Sequence, residues 1–204
     1  MMRSILRGLA VSTFAAVAFL QMNGAALAYS GMELLGRTTP PIGYVKFCEK
    51  FAKDCRPFDR SDLVVKLTNR TMGQLNAINK AVNKSVEPAT DMQIYGVVEL
   101  WTYPGRRGDC EDYVLQKRKE LITQGWPASA LLITVVRDEV GDGHAILTVR
   151  TDRGDLVLDN KVDEILAWVD TPYHFVKRQS SRDPNAWDMI SDNRNVAVGS
   201  INRR

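Results

Sequence analysis

Apolar positions fall at helical spacing in the first half of the chain and at strand spacing in the second. The stretch Leu67–Pro88 places Met72, Leu75, Ile78, Asn79 and Val82 at helical spacing, and Pro88 stops it, so a helix is expected there. A shorter helix runs through Tyr44–Phe51. From Pro88 to Gly108 no single period holds; the segment carries Tyr95, Trp101 and Tyr103 and then the turn-prone PGRRG. Asp109 can cap a helix running to Gln124, with Gly125 as its stop and Pro127 beyond. Cys110, Val114 and Leu121 share one face of that helix, and Leu115 with Ile122 widens it. After Pro127 the period changes. Ala130–Asp138, Gly143–Thr151 and Asp155–Asn160 read as strands, a short helix is expected at Val162–Val169, and Tyr173–Gln179 and Ala186–Ile190 read as two further strands. Helices first and a run of strands afterwards predict an α+β fold with a helix packed on one face of an antiparallel sheet.

The first residues stand outside this pattern. Arg3 and Arg7 precede an apolar run, Gly8–Leu20, shorter than the roughly 20 residues that span a bilayer. Ala26-Leu27-Ala28 follows, so residues 1–28 read as a secretory signal peptide, with an uncleaved N-terminal anchor as the alternative, and residues 29–204 as one exported domain. Losing two arginines and no acid lowers the formal net charge from +3 to +1, which gives no basis for nucleic-acid binding. No second apolar span, repeat or low-complexity tract occurs. The protein is therefore expected to be periplasmic, monomeric and without a membrane span once processed. Ser191–Arg204 reads as a surface strand or a tail.

An exported chain with three cysteines suggests one bridge and one thiol left over. Cys48 and Cys55 are the natural pair, with a condition. On one continuous helix, residues seven apart are separated by about 10 Å along the axis, whereas a disulfide needs Cα atoms within roughly 7 Å. The helix through Tyr44–Phe51 must therefore end before Cys55; Lys53-Asp54 and Pro57 supply the means. Two free buried thiols are the alternative. A zinc site would show further His or Cys nearby, and none is present.

Cys110 is then the odd thiol, in GDCEDY, at the start of a helix and among acids. Carboxylates oppose a thiolate, so the cysteine is inert or something offsets them. The helix dipole favours the anion, and a histidine accepting the proton would complete the offset. His144 opens one strand and Asp159 closes the next. A two-residue turn, Asp152-Arg153, puts Asp159 opposite Ile146 and diagonal to His144 on one face; a three-residue turn puts them on opposite faces. Cys110, His144 and Asp159 are compatible with a Cys-His-Asp nucleophilic site, in which the aspartate fixes the imidazole tautomer. Each also has a structural reading: a small buried hydrophobe, a half-buried strand histidine, a turn residue. His174 is read as structural.

GDCEDY opening a helix, then GHAILTV and LDN on successive strands, resembles the bacterial transglutaminase-like cysteine proteinase family over roughly Phe47–Ile190. The family includes periplasmic proteases that release biofilm adhesins. The resemblance implies a papain-like/transglutaminase-like core, with Cys110 as nucleophile, His144 as general base and acid, and Asp159 as orienter. It implies a protein substrate, by analogy an exported surface protein. Its biofilm proteases require calcium held by acids beside the nucleophile, and Asp109, Glu111 and Asp112 occupy those places here. Calcium takes six to eight oxygens, so loop carbonyls, waters and Asp138 or Asp142 would complete the shell. In the competing reading Asp109 is only a cap and the other two favour the helix dipole. Two departures stand out. The upstream glutamine, Gln93, lies far from Cys110 without a supporting pattern, so Trp101 is the oxyanion candidate, its indole N–H paired with the Cys110 backbone N–H. No dedicated partner-binding domain is visible. The expected function is cysteine endopeptidase through a thioester. Transglutaminase or amidase-type acyl transfer on the same site, or a non-catalytic calcium-dependent binding module, are the alternatives.

Overall fold

The computed structural model describes residues 31–194. The expected signal peptide, residues 1–28, and most of the C-terminal tail lie outside the described residues. In chain order the elements are β1 (Leu34–Thr38), α1 (Ile42–Lys50), α2 (Asn69–Ser85), β2 (Glu87–Pro88), α3 (Asp91–Tyr95), β3 (Arg107–Gly108), α4 (Cys110–Thr123), β4 (Leu131–Arg137), β5 (Gly143–Thr151), β6 (Gly154–Leu158), β7 (Leu166–Ala167), β8 (His174–Gln179) and β9 (Trp187–Ile190). The helix-then-sheet order is the one the periodicity predicts.

Seven strands form one sheet in the order β1-β9-β8-β4-β5-β6-β7, with every neighbouring pair antiparallel. Strand alternation divides the apolar residues into two layers. Ala145, Leu147 and Val149 of β5 and Leu156 and Leu158 of β6 join a core with Tyr44 and Phe47 of α1, Leu75, Ile78 and Val82 of α2, and Val114, Leu115 and Leu121 of α4. Ile146 and Val157 turn to the other face, where Val136, Phe175, Trp168, Tyr173, Met32 and Ile190 cover them.

Helix ends follow local chemistry. Thr68 caps α2 in a reciprocal box with Thr71. The chain leaves α4 through Gly125 at φ 87°, a conformation glycine adopts without a Cβ clash. α1 stops at Lys50 and a 3-10 turn, Ala52–Cys55, folds Cys55 back; the Cys48–Cys55 disulfide spans Cα atoms 5.6 Å apart. The geometric condition set by the sequence is thus met.

Two expectations fail, and one strand is not foreseen by the pattern. Val162–Val169 is not a helix: Leu166–Ala167 pairs with Val157 and Leu156 of β6, and Trp168–Asp170 is a 3-10 turn. An apolar i, i+3, i+4, i+7 pattern is present, but the free edge of β6 offers pairing that local propensity does not register. The carbonyls of Val162 and Asp163 are taken by the Asn79 side chain instead of by a helical turn. β1 was missed, because LLGRT lacks alternation, is largely exposed and bulges between Leu34 and Gly36. Ile122 does not widen the core face; it is exposed, while Glu111, Asp112, Lys117 and Arg118 are buried. α4 is enclosed by the sheet on one side and α2 on another, so burial is not confined to its apolar stripe.

Candidate active site

Cys110 is the first residue of α4 and Asp109 its N-cap. The cap is positional: the Asp109 side chain makes no capping hydrogen bond, and its Oδ1 is buried without a partner. Cys110 is partly buried and is the free cysteine among the described residues. Its thiol donates to Glu111 Oε2 at 3.1 Å. Burial, and then the Glu111 carboxylate, push the thiol well above its ordinary pKa, while a hydrogen bond to the Ala145 backbone works the other way.

The β5–β6 turn is the two-residue one: Thr151 pairs with Gly154 and Leu147 with Leu158. Continuing that register, Asp159 faces Ile146 and stands diagonal to His144. His144 Nε2 and Asp159 Oδ1 are 2.9 Å apart, with both side chains buried. Asp159 Oδ1 also accepts the Lys161 backbone N–H, and Oδ2 accepts the Tyr173 hydroxyl at 2.5 Å. Burial would raise the Asp159 pKa, but the His144 contact and these donors reverse it, and the net displacement is downward. The β5–β6 ladder ends at Leu147–Leu158, so the strands part just where Cys110 approaches the Ala145 backbone. Cys110 and His144 consequently line one cavity of about 310 Å³, together with Glu99, Trp101, Glu111 and Lys177. No hydrogen bond joins the thiol to His144 in this arrangement; the thiol is held by Glu111.

Trp101 is buried beside the cavity, its indole lying over Gly43, where a Cβ would meet Trp101 Cδ1 at 2.3 Å. Its N–H, the expected oxyanion donor, is directed at Glu99 Oε1, at 2.5 Å. Gln93 lines a second cavity, of about 290 Å³, that also reaches Cys110 and includes Asp109, Gly108 and Asn160. Its Oε1 accepts the Thr90 backbone N–H in a capping box.

The acids around Cys110 gather differently from the linear pattern. Asp91, Asp109 and Glu111 bring ligand atoms within 4.8 Å of one another. Asp112 is not among them: its Oδ1 accepts the Thr102 backbone N–H. Asp138 is committed to Lys161 at 2.7 Å and to the turn amides of Val140 and Asp142. Burial and the Asp91 charge raise Asp109 to about 6; burial and Asp109 raise Glu111 to about 9; burial raises Asp112 to about 8. Asp91 was not foreseen. It sits in the segment without a period, and only the fold brings it to Asp109. Its Oδ2 accepts the Leu100 N–H, and its Oδ1 is buried without a partner.

His174 is half-exposed on β8, 3.8 Å from Asp192, away from this cavity. Lys117, on α4, is fully buried with no hydrogen-bond partner for its ammonium.

The described fold is similar to LapG of Legionella pneumophila. The calcium-bound LapG structure shares 24% identity at a TM-score of 0.51, covering 62% of this chain and 74% of that chain. The EGTA-treated structure gives 24% and 0.50, covering 63% and 74%. No curated protein shows a significant match. The model of the bacterial transglutaminase-like cysteine proteinases matches residues 34–195. That match spans nearly all the elements and every cavity residue named above, and the chain therefore belongs to the bacterial transglutaminase-like cysteine proteinase family and is a cysteine peptidase.

Proposed function

We propose that the protein is a periplasmic cysteine endopeptidase that cleaves a protein substrate through a thioester on Cys110, after loss of residues 1–28. The observation that carries this reading is the buried His144–Asp159 pair, whose His144 lines the same cavity as Cys110. Cavities on two sides of Cys110 suit a polypeptide crossing the nucleophile. Asp159 holds the His144 Nε2 proton, leaving Nδ1 as the base. His144 takes the thiol proton as sulfur adds to the scissile carbonyl. The Cys110 backbone N–H, unpaired at the first turn of α4, serves the developing oxyanion. The C–N bond then breaks as His144 returns the proton to the amine. Water, deprotonated by His144, hydrolyses the thioester to a carboxylate and the free thiol. Before this, Glu111 must release the thiol.

The residues present also fit a calcium ion. Asp91 Oδ1 and Asp109 Oδ1 are buried without partners, and ligand atoms of the three carboxylates converge within 4.8 Å of one another. Asp91, Asp109 and Glu111 would hold the ion, which would neutralise the field that opposes a Cys110 thiolate. An exported surface protein is the substrate the family resemblance favours, and a monomer is the expected state.

Cys110→Ala and His144→Ala should each abolish cleavage with the fold retained, and Asp159→Asn should cost less than either. Assays use a quenched-fluorescent peptide selected from a library with the wild-type protein. Cys110→Ala with full activity would end the proposal. Calcium should raise the melting temperature of chelator-treated protein, and Glu111→Ala should remove the gain. Millimolar calcium producing neither heat nor a melting shift would remove the ion.

A further inference from the structure

Tyr173 is buried, at 3% exposure, in the segment that enters β8. Its hydroxyl donates to Asp159 Oδ2, the carboxylate oxygen that His144 does not use. Its ring meets the His144 ring edge to face, with centroids 5.5 Å apart and planes at 68°. One side chain thus touches both members of the pair. Its backbone is fixed independently. Arg194 Nη2 donates to the Tyr173 carbonyl at 2.6 Å, and the Arg194 guanidinium stacks on Phe175, 5.1 Å from its centroid. Asp192 Oδ2 accepts the Phe175 N–H at 2.8 Å. The hydroxyl therefore arrives on a segment held at the Tyr173 carbonyl and, two residues on, at the Phe175 amide.

The acceptor count on Asp159 sets the consequence. Oδ1 takes the Lys161 amide and His144 Nε2, and Oδ2 takes Tyr173. With the Lys161 amide and the Tyr173 hydroxyl donating, and the carboxyl held below its ordinary pKa, the ionised carboxylate acts only as acceptor, which assigns the shared proton to Nε2. Without the Tyr173 donor, Oδ2 would lie buried and unpaired, and the carboxylate could rotate about its χ2 axis to recover a donor. That rotation would carry Oδ1 away from the imidazole. The edge-on ring blocks the matching tilt of His144.

We propose that Tyr173 is a positioning residue for the His144–Asp159 pair, locking the carboxylate plane through its hydroxyl and the imidazole plane through its ring. The proposal rests on the reading of that pair as base and orienter.

The protein has two histidines, so ring nitrogens labelled with 15N give two resolvable sets of signals, assigned with His174→Gln. In wild type His144 should be the Nε2–H tautomer. Tyr173→Phe keeps the ring and removes the hydroxyl; His144 should become a mixture of tautomers, and kcat on the selected quenched-fluorescent peptide should fall about ten-fold with KM unchanged, the kinetic equivalent of one lost charge-assisted hydrogen bond. In an Asp159→Asn background the same substitution should cost nothing further, because Tyr173 acts through Asp159. A merely structural tyrosine would lower stability in both backgrounds and leave the tautomer alone. A pure Nε2–H tautomer in Tyr173→Phe, or a full ten-fold loss in the Asp159→Asn background, overturns the proposal. If Asp159→Asn itself leaves tautomer and turnover unchanged, the underlying pair reading falls, and this inference with it. Should Tyr173→Phe not fold, wild type still decides. A slowly exchanging Tyr173 hydroxyl proton with a cross-relaxation contact to the His144 ring supports the lock, and a hydroxyl in fast exchange with water refutes it.

Discussion

Lys117 offers a test in which the magnitude follows from the structure. Its ammonium is fully buried on α4, has no hydrogen-bond partner, and lies 5.8 Å from the centroid of the Tyr113 ring. Burial lowers its pKa from 10.5 to about 7, with the charges of Asp159 and Asp163 only partly opposing this. A difference of that size corresponds to about 5 kcal/mol at 1.36 kcal/mol per unit. Replacing even a paired buried charge by apolar side chains of similar volume is often neutral or stabilising by about 1–4 kcal/mol, and the Lys117 ammonium has no hydrogen bond to lose. Lys117→Met keeps length and helix propensity and removes the charge. The expected gain at pH 7 is about 2–4 kcal/mol, a rise in melting temperature of about 4–16 °C for a domain of this size. The pH dependence carries a sign. Between about 7 and 10.5 the unfolded lysine is protonated and the folded one is not, so wild-type stability rises with pH across that window. The advantage of Lys117→Met should be largest below pH 7 and shrink toward pH 10. Urea unfolding of both proteins at pH 6, 7, 8 and 9 measures it. A variant that is less stable throughout, or a gain equal at pH 6 and pH 9, would refute the reasoning.

Two further stability predictions concern pairs on either side of the sheet. Asp155 and Arg178 form a buried ion pair at 2.8 Å, and Asp155 also accepts the Met32 N–H; Asp155→Ala should cost about 3–5 kcal/mol in urea unfolding by stranding the guanidinium. The Cys48–Cys55 bridge closes a loop with a sequence separation of 7, so the double change Cys48→Ala and Cys55→Ala should cost about 2–3 kcal/mol, and reductant should destabilise wild type but not the double variant.

The fold was legible where burial and period agree. β5 was read from Gly143 to Thr151 as it stands, because its residues are apolar, β-branched and enclosed on both faces. β1 and β7 were not: each is a short edge strand, β1 pairs with the far end of the chain, and β7 is two residues long inside a helix-like apolar pattern. At the site, Cys110, His144 and Asp159 were legible because each punctuates an element: a helix start, a strand start, a strand end. Asp91, Glu99, Lys117 and Tyr173 were not, since nothing local marks them. Asp91 reaches Asp109 across the aperiodic segment, and Tyr173 reaches Asp159 across the loop that was misread as helix. Trp101 was read as the oxyanion candidate, but the direction of its N–H toward Glu99 depends on a rotamer set by packing on Gly43.

The turn between β5 and β6 decides what the sequence left open, the parity of His144 and Asp159. That parity can be tested by inserting one glycine at two places. Between Asp152 and Arg153 the insertion meets a competition. Slipping β6 by one residue would turn Leu156 and Leu158 out of the helix-side core and Val157 into it, and all three are buried. Burying each such side chain is worth about 1.5–3 kcal/mol, so the slip costs several kcal/mol, whereas enlarging a surface turn costs about 1 kcal/mol or less. The turn should absorb the residue, with His144–Asp159 intact and peptidase activity kept. Between Leu158 and Asp159 the same core holds β6 in place, and the slip falls on Asp159 alone. Its carboxylate is then carried to the opposite face from His144 and loses the Tyr173 hydroxyl as well. Activity should fall to at least the level of Asp159→Asn while the sheet persists. Turnover of the selected peptide and urea unfolding, measured on both insertions, separate the two effects. Loss of activity from the turn insertion, or its retention after insertion at Leu158, would show that strand register does not set the pair.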